Sequence, residues 1–216
     1  MKKQAPHHIY KIRQIKRLSS LEFMRAVEET THAFKGDPTF DFIFHSPKEL
    51  AQLVTVNLHY YLKKGTVFGA YDERGILQGI SLWNEPGGEP ITPKSVLASG
   101  LLKNFCKFFF HIRIGSFYRM LKMSDCTQKN HPKGDHWYLY WITAFRPGAG
   151  GALLEDAIVR VQGYDVYLEN SNPIKNNHFY GKYGFEPLME IGWKGCMLQP
   201  MIRTFKESEK IIFGAN

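Results

Sequence analysis

The sequence contains little cysteine, and it has no long apolar run that is free of charge. Its three cysteines form no Cys-x-x-Cys motif and cannot all pair within the chain, which argues against a disulfide framework and a zinc site. The most apolar stretch, residues 101–121, carries two lysines, two arginines and a histidine, whereas a membrane span tolerates few such side chains. Internal repeats and low-complexity runs are also missing. We therefore expect a globular protein with no membrane span and no bound metal.

Acidic residues are scarce relative to basic ones. The chain has 28 lysines and arginines against 20 aspartates and glutamates, which gives a formal net charge of +8. Such a charge attracts phosphate-rich partners such as nucleic acid, membrane headgroups or an anionic cofactor, and it does not choose among them. The N-terminal residues are basic but lack the apolar core of a signal peptide, so we expect a cytoplasmic protein.

The length of 216 residues and a hydrophobic content of 44% suit one well-buried core. We predict a single domain over residues 1–206, with an inserted helical segment at about 87–133 and a C-terminal tail over 207–216. His7 and His8 are expected to lie in an N-terminal tail and do not suggest a metal site. We expect a monomer or a homodimer.

Hydrophobic periodicity and capping signals place most of the elements. In the first half they predict a strand over 9–17, helices over 21–31 and 48–63, and strands over 66–71 and 76–83 that are joined by a hairpin turn. In the second half they predict a strand over 136–143, a helix over 151–162, a strand over 164–169, a helix after Asn172 and closing strands over 185–205. The strand over 136–143 has no polar face, so we predict a central strand that is covered on both sides.

The inserted segment is rich in aromatic residues that alternate with lysine and arginine. Prolines and glycines between residues 86 and 93 break the sheet pattern before it. The segment could be a lid that forms a substrate pocket, or a helix packed on the sheet with a solvated basic edge. A basic amphipathic surface for membrane or nucleic acid is the less favoured interpretation.

A glycine-rich turn follows the central strand and opens a helix. Gly148, Gly150 and Gly151 leave the backbone accessible, and a helix N-terminus presents free N–H groups and a positive dipole end to an anion. The loop is not a P-loop, because Ala152 follows Gly151 where that motif has lysine. An ordinary glycine turn between a strand and a helix is the alternative.

A dinucleotide-binding fingerprint is a second alternative for this loop. Gly148 and Gly150 fit its first two glycines, and Glu169 ends the next strand where a ribose-binding acid would lie. Leu153 occupies the third glycine position, however, and fewer than fifty residues remain after Glu169, too few for the rest of a doubly wound sheet. We therefore disfavour this alternative.

A second segment distinguishes among these interpretations. The stretch Ser171-Asn-Pro-Ile-Lys-Asn-Asn-His-Phe-Tyr-Gly-Lys-Tyr-Gly-Phe185 resembles the helix and Tyr-x-x-x-Gly-Phe-like signature of the GNAT superfamily of N-acetyltransferases. The same resemblance aligns Gly148-Ala149-Gly150 with the family's Gly-x-Gly/Ala loop, and it places Phe145 where the family has Gln or Arg after a longer approach. The resemblance is specific over residues 136–205 and only architectural before them.

The resemblance implies an α/β (α+β) fold: a GNAT-like mixed, mostly antiparallel sheet with helices on both faces, in three α/β/α layers. The sheet would split at the strand that carries Thr143. The resemblance also implies acetyl-CoA as the cofactor. Its contacts would be Thr143, Ala144 and Phe145 for the pantetheine arm, Arg146, Gly148, Ala149, Gly150 and Gly151 for the pyrophosphate, and Asn172 and Asn176 on the opposite wall.

Tyr180 would donate a proton to the departing thiolate, which is a poor leaving group without an acid. The attacking amine must also lose a proton. Glu85 is the first candidate for this base and His136 the second, although a solvated loop glutamate and a strand cap are the ordinary interpretations of these two. Trp83, Glu85 and His136 are the expected acceptor contacts.

We therefore predict an acetyl-CoA-dependent N-acetyltransferase in which a small-molecule primary amine attacks the thioester directly in a ternary complex. No Ser, Cys or His triad suggests a covalent route. One alternative is a catalytically degenerate relative that binds CoA or senses it. Another, less favoured, is a basic protein that binds nucleic acid or an anionic surface.

Overall fold

The computed structural model of the chain describes residues 10–88, 91–161 and 163–206. The predicted C-terminal tail over 207–216 and the histidines His7 and His8 lie outside these residues.

A mixed sheet runs through the centre of the protein. Its strands follow the order β1-β2-β3-β4-β5-β8-β6, and β7 pairs with β8 beside this path. All the pairs in the described residues are antiparallel except β4 with β5, which is parallel. The strands are β1 (Lys11–Gln14), β2 (Thr66–Tyr71), β3 (Leu77–Asn84), β4 (His136–Ala144), β5 (Asp165–Asn170), β6 (Glu186–Pro187), β7 (Ile191–Trp193) and β8 (Cys196–Arg203).

Helices cover both faces of the sheet. The helices are α1 (Ser20–Ala33), α2 (Pro38–Ile43), α3 (Pro47–Lys64), α4 (Pro93–Ala98), α5 (Leu102–His111), α6 (Ile114–Asn130), α7 (Ala149–Arg160) and α8 (Pro173–Gly181). On one face, Leu153 and Leu154 of α7 pack in a core with Trp83 and Leu139. On the other, α1, α3 and the insert share a core with residues such as Leu82. The predicted α/β/α fold class, with a mixed and mostly antiparallel sheet, is confirmed.

Local signals account for the elements that the sequence predicts. The Ser19 hydroxyl accepts from the Glu22 N–H while the Glu22 carboxylate accepts from the Ser19 N–H, and this capping box begins α1. In the turn after β2, the Asp72 carboxylate accepts from the N–H groups of Arg74 and Ile76 at 3.0 and 2.9 Å. This turn makes β2 and β3 a hairpin, as predicted.

The prediction for the central strand is wrong in one respect, because β4 is not covered on both sides. Of its nine residues only Leu139 and Thr143 are buried. The strand reads as apolar on both faces because one face packs against α7 while the other lines a cavity. A strand face that is buried and a strand face that lines an apolar cavity look the same in the sequence, since both favour apolar side chains.

The insert folds as three helices, where the sequence indicated one long helical segment. Gly100, with φ 73°, follows the end of α4, and the extended Ile112 separates α5 from α6. Phe108 points inward and is only 3% exposed, whereas Phe110 is 83% exposed. No helix of the described residues combines the length and apolar character needed to cross a membrane.

A buried carboxylate fastens the insert to the body of the protein. Glu49, in the first turn of α3, is 3% exposed. It accepts hydrogen bonds from the N–H groups of His45 and Arg113, each at 2.8 Å, and from the Ser116 hydroxyl at 3.1 Å. Burial acts to raise the pKa of Glu49, but these hydrogen bonds outweigh it and the pKa is lowered.

Replacing Glu49 with alanine should lower the free energy of unfolding by about 3 kcal/mol, because buried donors lose their acceptor. Urea unfolding measures this loss. Since the lowered pKa stabilises the ionised form, the difference from wild type should be full at neutral pH and shrink as the pH falls below about 4. Glu28→Ala, at an exposed position of α1, is the control. Equal midpoints for Glu49→Ala and wild type would show that Glu49 does not fasten the insert.

Candidate acyl-transfer site

The parallel strands β4 and β5 pair over a short distance and then separate. Their register joins His136 to Asp165, Trp137 to Val166 and Tyr138 to Tyr167, and it ends there. A bulge lies at the point of separation, because Leu82 faces Trp141 and Trp83 faces Leu139, which leaves Tyr140 as the extra residue. From Tyr140 onward, β4 has a hydrogen-bonded neighbour on one side only.

A cavity of about 980 Å³ occupies the space between the separated strands and extends beneath the insert. Its wall combines residues from both strands, from the start of α8, from α2 and α3, and from the insert. The residues that line this cavity include Asp37, Asn57, Glu85, Phe105, Phe108, Met120, Met123, His131, His136, Tyr138, Tyr140, Thr143, Ala144, Glu169, Asn170, Asn172, Lys175, Asn176 and Tyr180. The volume is that of a site for a small-molecule ligand.

Tyr180 lies near the end of α8 and its side chain lines the cavity. Among the described residues, no group makes a hydrogen bond with its hydroxyl. Burial, with a smaller effect from the charge of Asp37, raises the pKa of Tyr180, so the hydroxyl keeps its proton at neutral pH. A cavity-facing phenol that is protonated and has no protein acceptor can donate to a ligand.

The end of β4 fits the predicted cofactor wall in part. Thr143 and Ala144 line the cavity. Phe145 does not, because its side chain is buried in the core, 7% exposed, and its N–H bonds the Gln78 carbonyl at 2.8 Å. Its apolar side chain follows the core rather than the opening, so we leave Phe145 out of the proposed side-chain contacts.

The glycine turn lies at the open end of this wall. A methyl group added to Gly150 would be 3.5 Å from Ala144 Cβ and 3.8 Å from the Phe179 ring, which places the first turn of α7 between β4 and α8. Gly148 caps the helix at φ 88° without a side-chain hydrogen bond. The N–H groups of Gly150 and Gly151 belong to the first turn, where no helix carbonyl can reach them.

Arg146 stands at this turn but outside the cavity wall. It is exposed, and its guanidinium donates to the Phe145 carbonyl at 2.9 Å. The side chain of Ala149, the first residue of α7, is fully buried, so Ala149 could contact a ligand only through its backbone. The arrangement fits an anion held by backbone N–H groups, as the sequence predicts.

The predicted asparagines stand on the opposite wall, with their side chains already engaged. Asn172 caps α8 by accepting from the Lys175 N–H at 3.2 Å. The Asn176 amide donates to the buried Asn170 at 3.3 Å. Lys175 also lines the cavity, and it adds a positive charge at this end that the sequence patterns did not single out.

Trp83 and Glu85, the two predicted acceptor contacts at the end of β3, lie in different surroundings. Glu85 lines the cavity, and its carboxylate accepts from the Thr66 hydroxyl at 2.6 Å. Trp83 is fully buried in the core beneath α7, where its indole N–H bonds the Ser81 hydroxyl at 2.9 Å. Asn84, the neighbour of Trp83 on β3, lines the cavity, and because successive residues of a strand face opposite sides, Trp83 faces α7 instead. We therefore leave Trp83 out of the site.

His136 belongs to a row of hydrogen-bonding groups along the cavity wall. Its Nδ1 lies 2.9 Å from the Gly134 carbonyl and its Nε2 lies 2.9 Å from Nε2 of His131. Nδ1 of His131 is 3.6 Å from Oε1 of Glu169, and the other Glu169 oxygen accepts from the Tyr138 hydroxyl at 2.5 Å. Burial is the main cause of the lowered pKa of His136.

Sequence reasoning missed most of this row. Glu169 drew attention only as a ribose-binding acid in the disfavoured dinucleotide alternative. His131 lies in a polar stretch before β4, where no pattern marks it. The one available signal was the pair of tyrosines, Tyr138 and Tyr140, which alternate with apolar residues along β4. The Tyr140 hydroxyl accepts from the Asn57 amide at 2.9 Å.

The insert supplies the apolar part of the wall. Phe105 and Phe108 of α5 and Met120 and Met123 of α6 line the cavity. The described residues contain no group of three or more His, Cys, Asp or Glu side chains that could hold a metal ion. In the row above, His131 presents opposite ring nitrogens to its two neighbours and cannot bring them to one ion.

No protein-family model matches the chain, and no curated protein matches it in sequence. Solved structures do. A structure described as histone acetyltransferase HPA2 and related acetyltransferase, from Corynebacterium glutamicum, is 25% identical and superposes with a TM-score of 0.63 over 91% of this chain and 97% of that one.

Two further structures are similar at lower identity. Arylalkylamine N-acetyltransferase 2 from Aedes aegypti is 14% identical, with a TM-score of 0.56 over 91% of this chain and all of that one. A GNAT-family acetyltransferase from Streptococcus agalactiae is 10% identical, with a TM-score of 0.54 over 92% of this chain and 96% of that one. The likeness at 25% identity supports acetyl transfer in general, and these two show the fold alone. The chain has the fold of the GNAT superfamily of N-acetyltransferases.

Proposed function

We propose that the protein is an N-acetyltransferase that transfers the acetyl group of acetyl-CoA to a primary amine of a small molecule. The observation that carries the proposal is the Tyr180 hydroxyl, which faces the cavity between the separated strands and has no hydrogen-bond partner among the described residues. The glycine turn supports it, because the first turn of α7 packs beside Ala144 of the cavity wall. The acetyltransferase neighbour at 25% identity favours this chemistry over binding alone.

The residues present fit acetyl-CoA, which when bound would supply the acetyl group and a thiolate leaving group. The first-turn N–H groups of Gly150 and Gly151 would hold the pyrophosphate, with Arg146 and Lys175 as nearby positive charges. The open edge of β4 at Thr143 and Ala144 would pair with the pantetheine arm, and Asn172 and Asn176 would face it from the opposite wall.

Tyr180 would donate its proton to the sulfur as the bond to the acetyl carbon breaks. Direct attack by the amine requires no protein nucleophile. Glu85 and His136 both line the cavity and remain candidates for the group that deprotonates the amine. A small-molecule acceptor suits a cavity of this volume, whose apolar roof is formed by the insert.

Tyr180→Phe should lower kcat by about 100-fold while the Kd for acetyl-CoA changes little, because the variant loses only the proton donor. Thiol release with a panel of primary amines (2-phenylethylamine, spermidine and a lysine peptide) measures kcat, and calorimetry measures the Kd. Tyr164→Phe, at a partly exposed position before β5, is the matched control. Full turnover in Tyr180→Phe would remove its assigned role.

Acetyl-CoA and CoA should each raise the melting temperature, since a ligand at a hundredfold excess over its Kd stabilises the native state by about 2.7 kcal/mol. An oligonucleotide should not. Gly150→Ala should fold normally, because its methyl would meet only ordinary contacts, and yet bind acetyl-CoA about tenfold more weakly by covering the first-turn N–H groups.

Gly115→Ala is the control for this substitution, because Gly115 lies in α6 and an added methyl would make only an ordinary contact, 3.8 Å from the Arg119 guanidinium. No shift with either CoA species in the wild type would contradict the proposed function. A shift without turnover of any amine would favour the degenerate, CoA-binding alternative.

A further inference from the structure

Glu169 is a buried carboxylate at the point where β4 and β5 separate. Its side chain is 6% exposed and it lines the cavity. One oxygen accepts from the Tyr138 hydroxyl, while the other, Oε1, has no hydrogen bond among the described residues. A buried charge without a full set of donors is costly, and Oε1 is itself buried, so the position favours a positive charge on a neighbouring protein group.

The protons along the row can be assigned from its fixed end. A backbone carbonyl only accepts, so the contact with Gly134 requires a hydrogen on Nδ1 of His136. Nε2 of neutral His136 is then an acceptor, and the 2.9 Å contact with His131 requires a hydrogen on Nε2 of His131. Neutral His131 therefore presents the lone pair of Nδ1 toward Oε1 of Glu169, 3.6 Å away.

This last contact is the one place in the row where two acceptors face each other. Every other contact from Gly134 to Tyr138 has a hydrogen to share. One added proton, or one N–H group of a bound ligand, would complete the row. The row reaches the protein surface at its two histidines, because the His131 side chain is 32% exposed and His136 is half-buried.

Glu85 offers a less suitable place for the same task. Its residue is exposed to solvent, and one of its oxygens is already held by Thr66. A solvated carboxylate interacts weakly with a cation because water screens the charge. Glu169 is buried, has one oxygen without a hydrogen bond among the described residues and lies beside His131. Of these three features, Glu85 has only the oxygen without a hydrogen bond.

We propose that Nδ1 of His131, beside Glu169, takes the proton of the acceptor's ammonium group, and that His136 holds His131 in the tautomer that leaves Nδ1 able to accept it. The inference rests on the proposed function. A primary amine is an ammonium ion at neutral pH and must lose one proton before its lone pair can attack.

The nitrogen of the ammonium group loses two protons in the reaction. The N–H bond of the ammonium breaks, and its proton binds Nδ1 of His131 beside the negative Glu169. Nε2–H of His131 stays hydrogen-bonded to His136, and once the product has left, His131 releases the proton on Nδ1 to solvent, since its side chain is 32% exposed. The neutral amine forms the C–N bond while the C–S bond breaks and Tyr180 protonates the sulfur. The second proton that the nitrogen loses restores Tyr180 through water.

The titratable groups that face Glu169 are Tyr61 of α3, Tyr138 and Tyr140 of β4, Tyr167 of β5, and the two histidines. Burial is the main cause of the raised pKa of each of the four tyrosines, and the charge of Glu169 adds to it. At Tyr140 the hydrogen bond from Asn57 acts in the opposite direction. These phenols therefore stay neutral near neutral pH.

Glu169→Gln is the decisive variant. The glutamine carbonyl can still accept from Tyr138, and its NH₂ group can donate to Nδ1 of His131, so the gap between these two side chains is filled and the fold is kept. With the amine of the panel that the wild type acetylates fastest, kcat/KM should fall about 100-fold at neutral pH, with an unchanged Kd for acetyl-CoA. The loss should shrink at alkaline pH, where the amine is already neutral.

Glu186→Gln, on the exposed strand β6, is the control and should match the wild type. If the wild type turns over an amine and Glu169→Gln stays within about threefold of it, this inference alone is wrong. A larger loss in Glu85→Gln than in Glu169→Gln would also overturn it. If the wild type neither binds acetyl-CoA nor acetylates any amine, the proposed function fails instead.

A second measurement needs no turnover. Nitrogen-15 spectra of the histidine rings at mildly acidic pH should find protons on both nitrogens of His131 in the wild type. In Glu169→Gln they should find a proton on Nε2 only, because the glutamine NH₂ occupies the other side. Identical His131 spectra in the two proteins would mean that the gap does not take a proton.

Discussion

The site depends on the early end of the hydrogen bonding between β4 and β5. Their pairing stops after Tyr138 and Tyr167, while β5 remains held on its other side by β8. The bulge at Tyr140 strengthens the local twist of β4 and turns it away from its neighbour. This separation gives the cavity its position, exposes one edge of β4, and brings the end of β4 beside the helix that the glycine turn opens.

Most of the fold could be predicted because its signals are local. The capping box at Ser19, the Asp72 turn and the Asn172 cap each identify an element within a few residues. The short helix α2 escaped notice, since its six residues are too few for a periodic pattern. The insert was expected to be helical, but its division at Gly100 and Ile112 depends on how it packs over the cavity.

The site could be predicted only in part, for a related physical reason. Tyr180 and the glycine turn belong to continuous motifs. Alternation along a strand indicates which residues share a face, but it does not say whether that face meets a helix or an opening. Trp83 was assigned to the site from its place at the end of a strand and Phe145 from the family resemblance, and both side chains lie in the core instead. His131 and Glu169 come together only through the sheet, so no spacing in the sequence indicates the pair.

Two buried glutamates illustrate how the same side chain serves structure in one place and chemistry in another. Glu49 has donors from His45, Arg113 and Ser116, so its charge is satisfied and it joins the insert to α3. Glu169 has one donor and one oxygen without a hydrogen bond. A fully bonded carboxylate has little capacity for a further cation, whereas a half-bonded one does.

The first strand of the sheet also reaches the glycine turn. The Tyr10 hydroxyl donates to the Pro147 carbonyl at 2.9 Å, and its ring lies 3.5 Å from where a methyl on Gly148 would be. Among the described residues, β1 pairs with β2 alone and lies at the edge of the sheet, where Tyr10 and Ile12 pack against the core beneath α7. Affinity tags or protease cuts placed just ahead of Tyr10 would therefore act on the cofactor end of the cavity, and preparations that differ only there need not have equal affinity for acetyl-CoA.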